Sequence, residues 1–350
     1  MTIISKPIPK NGSVLLKQST PTLPHLLDFK DWTKLCQKLK AKKDFPVSRA
    51  GHWIDPTMDI EAYHQHEYLS STILQKAQGS TKNLEHYLES LDSTKEKDCF
   101  RKGSLVHSLI EQVSIGTPIK KVLQQYIAAP KISLSSHKGV DAGIQFYEKF
   151  QVIPKREAEK LDEKKQYLLE MKQASSHWII KQEDLDLLKG VAAEMERLPS
   201  RMRLIKSCTP ELSIFSDKRK VRIRPDLLFY AKKEELHLHI SVKTTHNIDR
   251  FFYECSRGDM LFQSAMYSYE LEEAFNKKFE HLYLVYETTP PYNSRLIYVP
   301  YSLIQSRFDD YLKTLRKSKS AIKRNRFGGY ELNGVGPLGI EEVKKKEFQK

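Results

Sequence analysis

The spacing of apolar residues changes near Pro199. Between Tyr63 and about residue 198 they recur every three or four positions, the period of a helix with one buried face. YLSSTILQKAQ opens on Ser70 or Ser71 as an N-cap, NLEHYLESL carries Leu84, Leu88 and Leu91, and GSLVHSLIEQV follows a Gly-Ser start. Residues 145–196 read as two helices with exposed charged faces, joined around Ser175–Gln182. After Pro199 the period is two. ELSIF, KVRIRPDLLFY and ELHLHISVKTT predict strands, the last two joined into a hairpin by the charged KKEE turn. A helix over about Arg257–Phe275 follows, then the strands LYLVYET and SRLIYVP on either side of TTPPYN. This order predicts an α/β or α+β fold, a central mixed sheet flanked by helices, with an α-rich N-terminal half.

The flanks differ from this middle. Residues 1 to about 25 mix Pro, Thr, Ser and Lys without period, and Phe29, Trp32, Cys36 and Leu39 then mark one short helix. We therefore expect a flexible extension with a short helix over 1–58, the main domain over 59–305, and a tail over 306–350. That tail is basic: Lys313 to Arg326 holds seven Lys or Arg and no acid, which suits an electrostatic arm for DNA or a solvated helix end.

Composition narrows the class of partner. With 39% hydrophobic and 29% charged residues in a chain of 350, a large core is affordable without disulfides. Cys36, Cys99, Cys208 and Cys255 show no CxxC spacing, so a zinc ribbon or redox motif is excluded and buried thiols in a reducing interior are expected. The opening residues lack a signal-peptide core and no run of about 18 apolar residues occurs, so a cytoplasmic protein without a membrane span is expected. The 58 Lys and Arg outweigh 44 Asp and Glu by +14, which makes nucleic acid the favoured polyanionic partner. Arg222, Arg224, Arg250 and Lys218 are candidates to track phosphates.

One pair can carry chemistry. Asp226, after Pro225, lies in one predicted strand and Lys243 lies seventeen residues on in the next. Antiparallel neighbours of that spacing bring a carboxylate and an ammonium onto one face. A carboxylate that holds Mg²⁺ and a lysine that positions or deprotonates the nucleophile are the minimum for phosphodiester hydrolysis. Alternation puts His237 and His239 on the face of Ser241 and Lys243.

The order of motifs adds specificity. GSLVH at 103–107, PELSIF at 210–215, VRIRPD at 221–226, ISVKTT at 240–245, QSAMY at 263–267 and VYETTPPY at 285–292 form a collinear series, preceded by EAYHQHEYLSSTIL. Over roughly residues 60–300 this resembles the PD-(D/E)XK nuclease superfamily, in particular the exonuclease VIII (RecE-type) branch related to the RecB nuclease domain. The resemblance implies a restriction-endonuclease-like core and a Mg²⁺- or Mn²⁺-dependent exodeoxyribonuclease acting on linear double-stranded DNA ends, for recombination or repair. It also implies 5′-to-3′ resection, a ring-shaped homo-oligomer and a single-strand annealing recombination protein as partner. Carried over by position, His107 flanks the metal, Glu211 and Asp226 are acidic ligands, and Lys243 is the catalytic lysine. Gln263 and Tyr267, at i and i+4 of one helix, contact DNA together with Thr244, Thr245 and Arg224.

One position departs from the pattern. Where the family has an acid two residues before the lysine, this chain has Ser241. A hydroxyl ligates Mg²⁺ without adding charge, so the cation is held more weakly. Either the acid has migrated, to Glu211 first or Glu254 second, or the fold serves as a DNA-end-binding or recombination scaffold. His239 as a nitrogen ligand would favour Mn²⁺. A structure-specific or RNA-directed nuclease on the same fold is a third expectation.

Overall fold

The computed structural model describes residues 48–90, 98–175, 178–231, 236–256 and 259–328. The predicted helix at 29–39, the KKEE turn and the side chain of Glu254 lie outside the described residues. The chain begins with strand β1 (His52–Asp55) and three short helices, α1 (Ile60–Gln65), α2 (Ser71–Lys76) and α3 (Thr81–Glu89). The long helix α4 (Asp98–Ser114), α5 (Ile119–Gln124), β2 (Ile127–Ala129), α6 (His137–Glu148) and α7 (Leu161–Ala174) follow. Then come β3 (Ile179–Lys181), α8 (Gln182–Arg197) and α9 (Pro199–Ser207). The β-rich half comprises β4 (Thr209–Pro210), β5 (Ser213–Ser216), β6 (Val221–Ile223), β7 (Leu227–Ala231) and β8 (Leu236–Thr245). Helices α10 (Ile248–Ser256) and α11 (Asp259–Phe275), strands β9 (Glu280–Glu287) and β10 (Ser294–Val299), and helices α12 (Tyr301–Gln305) and α13 (Phe308–Arg324) complete it.

Local chemistry explains the boundaries. Asp59, Ser70, Ser80 and Ser136 each accept a backbone N–H at the start of α1, α2, α3 and α6, satisfying donors that a helix leaves unpaired. Pro199 starts α9, where its missing N–H costs nothing. Asn325, at φ 47°, ends α13 in the left-handed region that Asn tolerates.

The result is a mixed α/β architecture with several sheets flanked by helices. The main sheet has the order β10-β9-β8-β7-β4; only β8 and β9 are parallel. Leu238, Ile240 and Val242 of β8 face one core, made with Val106, Leu109 and Ile110 of α4, Leu188 and Val191 of α8 and Ile205 of α9. The opposite face is covered by α11, through Phe262, Met266 and Leu271.

Three expectations needed correcting. KVRIRPDLLFY is two strands, because Pro225 cannot donate to a ladder: β6 pairs with β5 in a separate sheet of order β1-β5-β6, and β7 pairs with β8 in the main sheet. The segment read as a flexible extension supplies β1, whose Trp53 stacks on Phe215 of β5 with ring centroids 3.8 Å apart. Within the tail, residues 308–324 form a helix that buries Tyr311, Leu315 and Ala321. Among the described residues no helix is long and apolar enough to cross a membrane.

Candidate metal centre

The break between β6 and β7 creates the site. Asp226 stands where the chain leaves one sheet for the other, and its Oδ2 accepts the backbone N–H of Val242 on β8 at 2.6 Å. Glu211 stands at the matching break between β4 and β5, with φ 49°, and its N–H donates to the Asp226 carbonyl at 3.2 Å. Left-handed backbone at a glutamate costs roughly 1 kcal/mol and is kept only where the surroundings enforce it. Here it turns the Glu211 carboxylate toward Asp226. From the other side α4 presents His107, whose Nδ1 lies 3.5 Å from Asp226 Oδ1. One ligand atom from each of His107, Glu211 and Asp226 lies within 4.8 Å of the others, and all three side chains are half-buried.

The electrostatics fit a cation. Burial, and after it the Asp226 carboxylate, push the Glu211 carboxyl up to about 8. A nearby positive charge is what would restore its ionised form. Arg224 supplies part of one: its Nε donates to Glu211 Oε2 at 2.8 Å, and its Nη1 holds the Met58 carbonyl at 2.9 Å and Ser213 Oγ at 3.2 Å. Two oxygen ligands and an imidazole suit a divalent ion.

Lys243 ends the neighbouring strand. Its Nζ donates to Gln263 Oε1 at 2.9 Å, and Gln263 Nε2 reaches Ser71 Oγ at 3.4 Å, so α2 and α11 fix the ammonium. Ser241 does not join the cluster. It is buried, and its Oγ lies 3.3 Å from Nε2 of His239. His239 is spent too, with its Nδ1 3.1 Å from Nδ1 of His281, whose Nε2 meets Ser264 Oγ at 2.9 Å. Burial, with Lys243 nearby, lowers His239 to about 3, so it stays neutral in this internal network.

The structure brings together His107, Glu211 and Asp226, pairs Lys243 with Gln263 on the strand whose Val242 N–H holds Asp226, and gives several other named residues different roles. Arg224 is a clamp on Glu211 with a half-buried side chain, its guanidinium spent on Glu211, Met58 and Ser213. Arg222 likewise points inward, its guanidinium held by the carbonyls of His64, His66 and Tyr68. Tyr267 has a buried ring, but its hydroxyl accepts from Gln263 Nε2 at 3.5 Å and is pushed up to about 12 by burial and then by the Asp226 charge. Thr245 spends its hydroxyl on Asn247, closing the turn after β8, while Thr244 is half-buried against Gly103 of α4. Arg250 and Lys218 are exposed.

Two features escaped the sequence reading. Glu111 lies one helical turn beyond His107, is half-buried, and its charge also raises Glu211. The i, i+4 spacing was the available signal. His281 had none, because only the parallel register of β8 and β9 sets it opposite His239.

No known family model matches the chain, and no curated protein matches it. Among solved structures, the crystal structure of a candidate exonuclease from Eubacterium rectale aligns with 82% of this chain and 98% of that chain, at 12% identity and a TM-score of 0.45.

Proposed function

We propose that the chain is a metal-dependent nuclease with a PD-(D/E)XK-type site of the exonuclease VIII kind, hydrolysing phosphodiester bonds at the ends of linear double-stranded DNA. The observation that carries this reading is the convergence of one ligand atom from each of His107, Glu211 and Asp226 within 4.8 Å, with Asp226 anchored to the Val242 N–H on the strand that carries Lys243. A Mg²⁺ or Mn²⁺ ion held by these three would polarise the phosphoryl oxygen and acidify a bound water. The chain's own groups do the rest. The Val242 N–H fixes the Asp226 carboxylate, Arg224 holds Glu211 in place, and Lys243 offers a positive charge to the phosphate undergoing attack. The same reading includes 5′-to-3′ resection, a homo-oligomer around the duplex and an annealing protein as partner.

The test is degradation of linear 5′-phosphorylated duplex DNA with Mg²⁺ or Mn²⁺, using closed circles and single-stranded RNA as controls. We expect metal-dependent shortening of the linear duplex alone, lost in Lys243→Ala. Wild-type protein that cuts nothing with either metal overturns it. A second reading, a DNA-end-binding scaffold, is favoured by one observation: the neutral Ser241 is turned away into a hydrogen bond with His239. It predicts DNA binding without cutting in the wild type and gain of cutting in Ser241→Asp.

A further inference from the structure

Helix α13 is docked by one face. Tyr311 donates to Glu270 Oε1 at 2.5 Å, Leu315 and Ala321 are buried, and beyond the helix the Gly328 N–H donates to Thr81 Oγ1 at 2.8 Å. This fixes what the other face shows to solvent. Lys313, Arg316, Lys319 and Lys323 follow each other there at three- and four-residue steps, all exposed, with Arg324 and Arg326 extending the row.

A solvated helix end explains only part of this. Cations in the last turn offset the helix dipole, which covers Lys323 and Arg324 but not Lys313, Arg316 or Lys319. Paired charges would explain the rest, yet residues 311–328 hold no acid. Asp310 of the first turn is taken by Arg307 at 2.8 Å. Among the described residues, Lys313, Lys319 and Lys323 make no ion pair.

We propose that this face of α13 is a rail for the phosphate backbone of double-stranded DNA. Lys313 to Lys323 spans about 15 Å of helix axis. Over roughly that length one strand of B-form DNA presents about four phosphates, matching the four cations in number. An anionic membrane surface fits less well, because an interfacial helix turns its apolar face outward and α13 has buried its own. Helix α13 is joined to the site region through α2, which packs against both α13 and α11 and whose Ser71 contacts the Gln263 that holds Lys243. The inference rests on the duplex-DNA substrate proposed above but not on cleavage.

The experiment is anisotropy titration of a labelled duplex of about 30 base pairs with the full chain in EDTA, at about 50 to 200 mM salt. Wild type is compared with Lys313→Gln/Arg316→Gln/Lys319→Gln/Lys323→Gln. Each lost phosphate contact lowers the slope of log affinity against log salt by about 0.9, so a decrease of about 3 to 4 is expected. The Lys→Arg and Arg→Lys counterpart, which keeps the charge, should keep the slope. If the fourfold variant does not fold, Lys319→Gln/Lys323→Gln should still lower it by about 2. An unchanged slope overturns the rail, as does loss of binding to phosphatidylserine vesicles with DNA binding intact. Cleavage separates the two proposals: a reduced slope without metal-dependent cutting overturns only the nuclease, and cutting with an unchanged slope overturns only the rail.

Discussion

Replacing Asp226 by Asn should move the protein in opposite directions with and without metal. Asn retains an oxygen to accept the Val242 N–H, so the strand junction keeps its anchor. The charge is what goes. Two ionised carboxylates within 4.8 Å repel by about 3.5 kcal/mol at an effective dielectric constant of 20. Glu211 avoids this in the metal-free protein by holding its proton, its carboxyl pushed up to about 8 by burial and then by Asp226. Without metal, Asp226→Asn should therefore be as stable as wild type at neutral pH, or more so by about 1 kcal/mol. With metal the order reverses. A ligand at a hundred times its dissociation constant stabilises the native state by about 2.7 kcal/mol, on the order of 4 to 5 °C for a domain of this size. The wild type should show that rise on titration with Mn²⁺ or Mg²⁺, and Asp226→Asn should show little of it while losing all cleavage. Thermal unfolding across a metal series, read beside the cleavage assay, measures both. An Asp226→Asn protein with the wild-type metal response would refute the assignment of this carboxylate.

Other substitutions test the supports. Arg224→Ala takes the guanidinium from Glu211, which then keeps its proton, and frees the Met58 carbonyl, so a loss of about 1 to 3 kcal/mol is expected in chemical denaturation. A cost under about 1 kcal/mol would refute the clamp. His239 has its folded pKa lowered to about 3, so between about pH 6.5 and 3 the unfolded chain binds the extra proton and stability falls as pH falls. The loss from His239 alone is on the order of 4 kcal/mol, and His281, also lowered, adds to it. Unfolding midpoints from pH 7 to 4 check this: His239→Asn should flatten the profile, and an unchanged slope refutes it. At Gly190 of α8 a Cβ would fall inside the ring of Tyr292, so Gly190→Ala should cost about 1 to 3 kcal/mol despite its better helix propensity. Tyr292→Ala in the same chain should recover most of the loss.

The strands were legible because burial on one face leaves a period of two, and β8 shows it plainly: Leu238, Ile240 and Val242 inward to α4, with His239, Ser241 and Lys243 opposite. The adjacency of the Asp226 segment to β8 was legible too, and the structure expresses it as the Val242 N–H donating to Asp226 while Lys243 turns to Gln263. What failed had other causes. Arg222 and Arg224 read as surface cations by residue type, yet each is held by carbonyl or carboxylate groups contributed by residues more than ten positions away. Tyr267 shares a helix face with Gln263 as the i, i+4 spacing predicts, but its ring is buried and only its hydroxyl reaches Gln263, which residue type alone does not reveal. β1 pairs with β5 across more than 150 residues, and four half-buried residues leave too short a pattern to reveal it.

The position of Ser241 can be understood from charge balance. Asp226 already accepts the Val242 N–H beside it, and Glu211 reaches the same cluster from a different strand break. A carboxylate at 241 would bury a further negative charge on the strand next to Asp226, where Glu211 is already driven toward its neutral form. It would also displace the hydroxyl that meets His239, leaving a buried imidazole without that partner, at a cost of about 1 to 3 kcal/mol. In the metal-free protein, serine is thus the more stable choice at this position. Under the proposed function, Glu211 is the carboxylate that would stand in for the missing acid, held by its left-handed backbone and the Arg224 guanidinium. In the proposed nuclease this backbone, placed where it turns a carboxylate toward His107 and Asp226, would let a cation be held without an acid at 241.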